Sequence, residues 1–177
     1  MRYTRTAIAL HWLIALLIVA AFPVGLYMTG LKLSPTKLKL YAYHKWLGIT
    51  VVLLAIVRLA WRVRHPAPPP PAHMPVWQQR VATAIHHLLY VFMLLVPAVG
   101  WLMSSAKGFQ TVYLGVVPVP DLLAKDEALG DLLAIVHASL AYLLAALVGI
   151  HAAAALKHHL IDRDDVLTRM LPGGDRA

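Results

Sequence analysis

The sequence predicts an all-α integral membrane protein that folds as a single membrane domain, a four-helix bundle, over residues 1–177. Hydrophobic residues make up 60% of the 177, and the mean hydropathy is +0.68. These values are typical of membrane proteins rather than of soluble domains. Four stretches are also mostly apolar over about 20 residues, the length that a helix needs to cross a bilayer core. The absence of cysteine excludes disulfides and iron–sulfur clusters.

The four transmembrane helices are predicted at 6–28, 41–61, 81–103 and 131–156. The first stretch is long and has no small-residue cleavage site, so we interpret it as a retained span rather than a removed signal peptide. The connector "HPAPPPPAHMP" that follows the second helix cannot be helical, because proline removes backbone donors and clashes with the preceding turn. The loop 104–130 is expected to contain a short interfacial helix around "DLLAKDEALG".

The basic residues predict that both termini are cytoplasmic. The formal net charge is +8, and in such an apolar chain this excess indicates membrane topology, with lipid as the partner and no nucleic acid. Ten lysines and arginines, including all nine arginines, fall on the side of the termini, whereas six lysines fall on the other. Because cytoplasmic loops carry the excess of basic residues, that side is assigned to the cytoplasm.

Histidines within the apolar spans are the strongest functional signal. The chain has ten histidines, and at least five fall within spans, where an ionisable group is costly and indicates function. His137 and His151 lie fourteen residues apart on the fourth helix, so they are separated by about 21 Å along its axis but only about 40° around it. One face of this helix therefore presents an imidazole in each half of the bilayer.

Matching histidines occur at both depths on other helices. His11 lies at the depth of His151 near the cytoplasmic boundary, and His44 lies at the depth of His137 on the opposite side. Two imidazoles that face each other, with no carboxylate or thiolate beside them, suit the axial positions of a b-type haem. His11, His44, His137 and His151 are therefore the predicted iron ligands of two haems. Gly48, one turn beyond His44, is expected to let the flat group approach the helix.

Other interpretations stay open on the residues alone. A single membrane histidine is more often an interhelical hydrogen-bonding residue than a ligand. A metal transporter would usually add a carboxylate within the membrane, and none of the eight acidic residues is placed deep in a span. His86 lies on the interior face of the third helix at the depth of the cytoplasmic pair, so it is a rival axial ligand. Its neighbour His87 shares a face with lipid-facing residues.

Several segments together resemble the bacterial cytochrome b561 family, in order and in spacing. They are "ALHWLIALLIVA", "HKWLG", "VRLAWRVRHPAPPPP", "HHLLYVFMLLVPAVGWLM" and "HASLAYLLAALVGIHAAAALKHHLIDRDDVLTRMLP". The likeness covers nearly the whole chain, and the last segment is similar in particular to the small members described as superoxide oxidases. The resemblance implies a bundle in the bacterial inner membrane that binds two b haems through the four histidines.

The resemblance also implies a reaction. Superoxide would give an electron to the haem on the periplasmic side, and ubiquinone would be reduced by the second haem. The alternative is a cytochrome b anchor that passes electrons between a partner dehydrogenase or hydrogenase and the quinone pool.

Four further residues are candidates for this chemistry. Lys45 neighbours His44 and is the best candidate for attracting the superoxide anion. His158, about two turns beyond His151, is expected to serve the quinone as a proton donor. His86 is a candidate partner of a haem propionate or of the quinone. Arg80 and His73 are candidates for bordering the quinone pocket.

Overall fold

Four long helices form most of the structure. The computed structural model describes residues 2–71 and 74–173. Consecutive helices pack against each other, and each is long and apolar enough to span a bilayer. The predicted all-α membrane bundle is confirmed, and its helices are α1 (Arg5–Gly30), α2 (Pro35–Arg64), α3 (Val76–Ala106) and α4 (Glu127–Lys157).

Every helix extends beyond the apolar stretch from which it was predicted. Polar side chains cap the beginning of α1, α2 and α4, whereas α3 begins after Pro75 without a side-chain cap. The Thr4 hydroxyl accepts from the Ala7 amide at 3.2 Å and so caps α1. The Ser34 hydroxyl caps α2 in the same way, and Pro35 occupies its first position, where no amide donor is needed. Asp126 caps α4 through the Leu129 amide. His44 consequently lies more than two turns inside α2 rather than at its start.

The connection between α3 and α4 differs from the expected interfacial helix. It contains an antiparallel hairpin of β1 (Thr111–Tyr113) and β2 (Val117–Val119), and the end of "DLLAKDEALG" already belongs to α4. Between the strands, Leu114 and Gly115 both adopt positive φ angles, of 54° and 74°. Consecutive positive φ angles are typical of tight hairpin turns, and β-branched residues favour the flanking strands.

The hairpin packs along α2. The indole of Trp46 donates to the Val112 carbonyl at 2.7 Å, and the Tyr113 hydroxyl contacts the Thr50 hydroxyl at 2.9 Å. These bonds hold the hairpin beside the segment of α2 that carries His44. We refer to this end of the bundle as the hairpin end.

The first and last described segments of the chain meet at the opposite end, which we call the termini end. After α4 the chain makes a π-helical turn (His158–Asp162) and then a single 3₁₀ turn (Thr168–Met170). The Arg2 guanidinium donates to the Thr168 carbonyl at 2.9 Å, and the Trp12 indole donates to the Met170 carbonyl at 2.7 Å. These bonds tie the C-terminal segment across the end of α1.

Apolar side chains form both the surface and the centre of the bundle. Exposed leucines, isoleucines and valines along the spans give the outer surface the character expected of a lipid-facing one. At the centre, a small apolar layer lies between the two levels of histidine. Its buried members are Ile14, Val51, Ala55 and Met93.

Candidate functional site: two levels of opposed histidines

At the hairpin end, His44 of α2 faces His137 of α4. Their ring centroids lie 6.1 Å apart and the ring planes are nearly perpendicular, at 86°. A metal ion bound by an imidazole nitrogen about 2 Å away on each side would place the two ring centroids about 6 Å apart. The observed spacing therefore fits a single ion held between the two rings.

Backbone carbonyls orient both rings. His44 Nδ1 lies 3.0 Å from the Ala21 carbonyl of α1, and His137 Nδ1 lies 3.0 Å from the Val96 carbonyl of α3. Since a carbonyl oxygen can only accept, each Nδ1 carries the proton and donates it. Each Nε2 is left with its lone pair, the arrangement common for metal-bound histidine.

Two glycines make room for these rings. A Cβ atom on Gly25 would lie 3.0 Å from His44 Cε1, and one on Gly100 would lie 2.9 Å from His137 Cε1. In each case the glycine comes four residues after the carbonyl that binds the ring, so both histidines rest on the same local feature of the neighbouring helix. Gly48 was expected to let the flat group approach α2. A Cβ at this position would instead make an ordinary 3.6 Å contact with Pro97.

Sequence reasoning missed both glycines. Each follows a proline within an apolar span, in "PVG" for Gly25 and "PAVG" for Gly100. Proline inside a membrane helix disturbs the backbone bonding of its own turn, and glycine permits close approach. A paired proline and glycine within a span is thus the signal that would have indicated these positions.

At the termini end, three histidines come together. The rings of His11 and His151 have centroids 6.0 Å apart at 76°, and His86 lies 5.2 Å from His151 at 72°. The first spacing equals that of the hairpin-end pair to within 0.1 Å. The second is shorter than the spacing of about 6 Å that two rings need across a shared ion. The geometry therefore suits His11 better than His86 as the partner of His151.

Arg58 supplies positive charge beside this cluster. Its Nε donates to the Tyr90 hydroxyl at 3.0 Å, and a terminal nitrogen donates to the Ala7 carbonyl at 3.1 Å. These bonds hold the guanidinium on the interior side of α2, where its charge acts on His11 and His151. A fixed cation at this depth is suited to a carboxylate of a bound cofactor.

A comparison with known families identifies the kind of protein that carries these histidine pairs. A family model described as "Prokaryotic cytochrome b561" matches residues 2–173, nearly the whole chain. This chain is a member of the prokaryotic cytochrome b561 family. It is therefore a multi-pass protein of the bacterial inner membrane that takes part in electron transfer, and its family carries b-type haem.

Individual relatives agree with this assignment. "Cytochrome b561 homolog 2" of Escherichia coli (strain K12) is 36% identical over 96% of this chain and 91% of its own length. "Cytochrome b561 homolog 1" of the same strain is 34% identical over 97% of each chain. The "Probable superoxide oxidase CybB" of Yersinia pestis is 28% identical over 97% of this chain and 96% of its own. All three are similar to this cytochrome b561 along nearly its full length.

The residue pattern of the histidine pairs fits the cofactor of the family. Opposed neutral nitrogen donors at a spacing of about 6 Å, without a carboxylate beside them, are the donor set of a bis-histidine haem rather than of a structural zinc site. Gly25 and Gly100 leave space against the backbone at the hairpin-end pair.

Lys45 is turned toward the segment between α3 and the hairpin. Its Nζ donates to the Phe109 carbonyl at 3.0 Å, and the side chain is half-buried. Lys37 is also occupied, since its Nζ donates to the Leu31 carbonyl at 2.6 Å. Lys32 and Lys39 are exposed, and neither forms a side-chain hydrogen bond or ion pair within the part of the chain that the structure describes.

The other candidates of this cytochrome b561 lie at the termini end but in two separate places. His158 Nδ1 lies 2.6 Å from an Asp164 carboxylate oxygen and 3.2 Å from one of Asp162, beside a small pocket of about 230 Å³. Arg80 instead borders a larger groove of about 500 Å³ on the outward side of α3. His73 lies outside the described residues. The structure therefore does not bring His158 and Arg80 into one pocket.

Proposed function

We propose that this cytochrome b561 is a superoxide oxidase, which transfers electrons from superoxide through two b haems to ubiquinone. The observation that carries the proposal is the pair of opposed imidazoles at each end of one bundle, with similar spacings of 6.1 and 6.0 Å. Two such pairs provide binding positions for a chain of two redox centres that crosses the membrane. The name of the Yersinia pestis relative supports the choice of superoxide as donor.

The proposed ligand sets follow from the ring geometry. His44 and His137 hold the haem at the hairpin end, and His11 and His151 hold the one at the termini end. His86 lies beside the second haem without ligating it, and Arg58 is suited to a propionate. When bound, haem iron supplies one-electron oxidation and reduction.

The proposed orientation places the termini end in the cytoplasm. Ten basic residues belong to that side, and the excess of basic residues marks the cytoplasmic face of membrane proteins. The hairpin end then faces the periplasm, so electrons enter beside His44 and leave beside His151. Two superoxide ions each lose one electron and become dioxygen. One ubiquinone accepts both electrons with two protons from the cytoplasmic side and becomes ubiquinol.

The lysines of the hairpin end are the proposed means of attracting superoxide. A small anion needs little shape recognition, so a positive field that raises its encounter rate is the main requirement. Lys32 and Lys39 contribute exposed charge, and the bond from Lys45 to Phe109 holds its ammonium group next to the helix turn of His44. Lys45 is thus the proposed charge nearest to the entry point.

The test is the reaction of the purified protein with a flux of superoxide. We expect superoxide to reduce the haems and ubiquinone to reoxidise them, both followed by optical absorbance. The rate of the first step should fall roughly tenfold from low to high ionic strength, because steering by exposed charges is screened by salt. Haems that stay oxidised under superoxide would overturn the oxidase and favour the anchor for a partner dehydrogenase or hydrogenase.

Charge removal at Lys45 sharpens this test. Lys45→Gln is expected to lower the rate of haem reduction by superoxide several-fold at low salt and to flatten its salt dependence. Lys125→Gln is the matched control, since Lys125 lies at the same end but is already paired with Glu127 at 3.6 Å. Equal rates for the two variants, measured by stopped-flow absorbance, would remove Lys45 from the entry path.

A further inference from the structure

The connection between α3 and α4 folds back along the bundle instead of extending away from it. Before the hairpin begins, the Phe109 carbonyl accepts a hydrogen bond from Lys45 at 3.0 Å. Within the hairpin, the Tyr113 hydroxyl contacts the Thr50 hydroxyl at 2.9 Å. Thr50 precedes Val51, a member of the central apolar layer. The contacts of the connection therefore advance along α2 toward the middle of the bundle.

This path takes the hairpin deeper than the polar boundary of the same end. Lys107 and Asp131 form an ion pair at that boundary, where α3 ends and α4 begins. His137 lies six residues inside Asp131, which is about 9 Å along the axis of α4, and its ring faces that of His44. The hairpin contacts residues that follow His44 in α2. It therefore lies beside the spans rather than beyond them.

The side chains that the hairpin turns outward are apolar. The segment 108–120 contains no charged residue, although charged residues occur on both sides of it. Leu114, Val116 and Val117 are all exposed, and Val116 is 79% exposed. Contact of such side chains with water is unfavourable in proportion to their apolar area. Exposed leucines and valines are also typical of the spans, so the hairpin continues their lipid-facing surface.

Backbone groups of the hairpin have partners within the protein, as a lipid environment requires. At the turn, the Val116 amide donates to the Tyr113 carbonyl at 3.1 Å. After β2, the Pro120 carbonyl accepts from the indole of Trp101 at 3.0 Å. The indole of Trp46 binds a carbonyl of β1 in the same way. Tryptophan is enriched where the polar and apolar regions of a membrane meet, so both indoles fit this depth.

The outer edge of β2 is poorly suited to pairing with another strand. Pro118 lies opposite Val112 in the register, and without an N–H it cannot exchange two hydrogen bonds with that residue. Because hydrogen-bonded and non-hydrogen-bonded pairs alternate, the backbone of Pro118 faces away from β1. Its missing amide leaves no donor there for an added strand.

We propose that the hairpin is embedded in the lipid leaflet at the hairpin end, with Leu114, Val116 and Val117 in contact with acyl chains. Three observations carry the proposal: the depth of its contacts on α2, the uncharged exposed surface and the absence of a donor at Pro118. The competing occupant of this surface is a protein that docks from the aqueous side. The proposal is independent of the proposed function and of which side of the membrane the hairpin end faces.

Fluorescence quenching of a single label locates the hairpin. The chain has no cysteine, so Val116→Cys provides a single thiol for a nitrobenzoxadiazole label. The haem-loaded protein is reconstituted in phosphatidylcholine vesicles with iodide available on both sides of the membrane. We expect phosphatidylcholine that carries a nitroxide on its acyl chain to lower the emission several-fold, whereas iodide should change it little.

Two further single-cysteine variants calibrate this measurement. Lys125→Cys, exposed at the same end but outside the spans, should be quenched by iodide and not by the labelled lipid. Leu143→Cys, exposed within α4, should show the reverse. An unchanged haem spectrum in each variant confirms that it is folded. A ratio of lipid to iodide quenching at Val116→Cys closer to that of Leu143→Cys supports the embedded hairpin. A ratio closer to that of Lys125→Cys would refute it and leave this surface open to an aqueous partner.

Discussion

Replacing His151 with alanine is expected to reduce the haem content from two per chain to one. The His151 ring faces both other histidines of the termini end, at 6.0 Å from His11 and 5.2 Å from His86. Its removal breaks both of these ring contacts, and a b haem with one imidazole is held far less tightly than one with two. The measurement is the haem-to-protein ratio of purified protein, with the reduced-minus-oxidised spectrum. Superoxide should still reduce the remaining haem, but ubiquinone should no longer reoxidise it quickly.

The same experiment separates the two candidate partners of His151. His86→Ala is expected to keep both haems, since its 5.2 Å spacing from the His151 ring fits a shared iron less well than the 6.0 Å spacing of His11, whereas His11→Ala should lose one. A haem lost from His86→Ala and retained in His11→Ala would transfer the ligand role to His86. At the other end, His44→Ala and His137→Ala should each lose the haem that meets superoxide, and with it the reduction by superoxide.

Adding a single methyl group at Gly100 is expected to reduce the haem content almost as strongly as replacing His151. The Cβ of Gly100→Ala would lie 2.9 Å from Cε1 of His137, closer than such contacts occur. The ring cannot easily move aside, because its Nδ1 is bonded to the Val96 carbonyl at 3.0 Å. Overpacking of this kind typically costs about 1–3 kcal/mol, and a displaced ring no longer opposes His44. We expect the haem of the hairpin end to be lost and that of the termini end to be retained.

Gly48→Ala is the matched control for this substitution. A Cβ at Gly48 makes an ordinary 3.6 Å contact with Pro97, so both haems should remain. The haem of the termini end serves as an internal measure of folding in each variant, because it lies about 21 Å away along α4. Two haems in Gly100→Ala, with an unchanged spectrum, would show that the ring tolerates the methyl group and that the glycine has another purpose.

Features that depend on one helix could be predicted from the sequence. The depth of each histidine and the shared face of His137 and His151 follow from the rise and rotation per residue, which are nearly constant in any α-helix. The structure accordingly places the rings of His11 and His151 together, and those of His44 and His137. The spans were also recognisable, because a bilayer imposes a minimum apolar length. Their ends were not, because each helix extends beyond that length, three of them to a side-chain N-cap.

Features that depend on how two segments meet were decided only by the tertiary structure. The bonds of His44 to Ala21 and of His137 to Val96, and the glycines beneath the rings, require the register of one helix against another. The same holds for Lys45, which neighbours His44 in sequence but is bonded to the Phe109 carbonyl before the hairpin. It also holds for His158 and Arg80, which lie in different pockets. Helix geometry thus determined from sequence alone how deep each side chain lies and which way it faces. Packing between helices decided what each side chain touches, because contacts of a few tenths of an ångström depend on every residue along the interface.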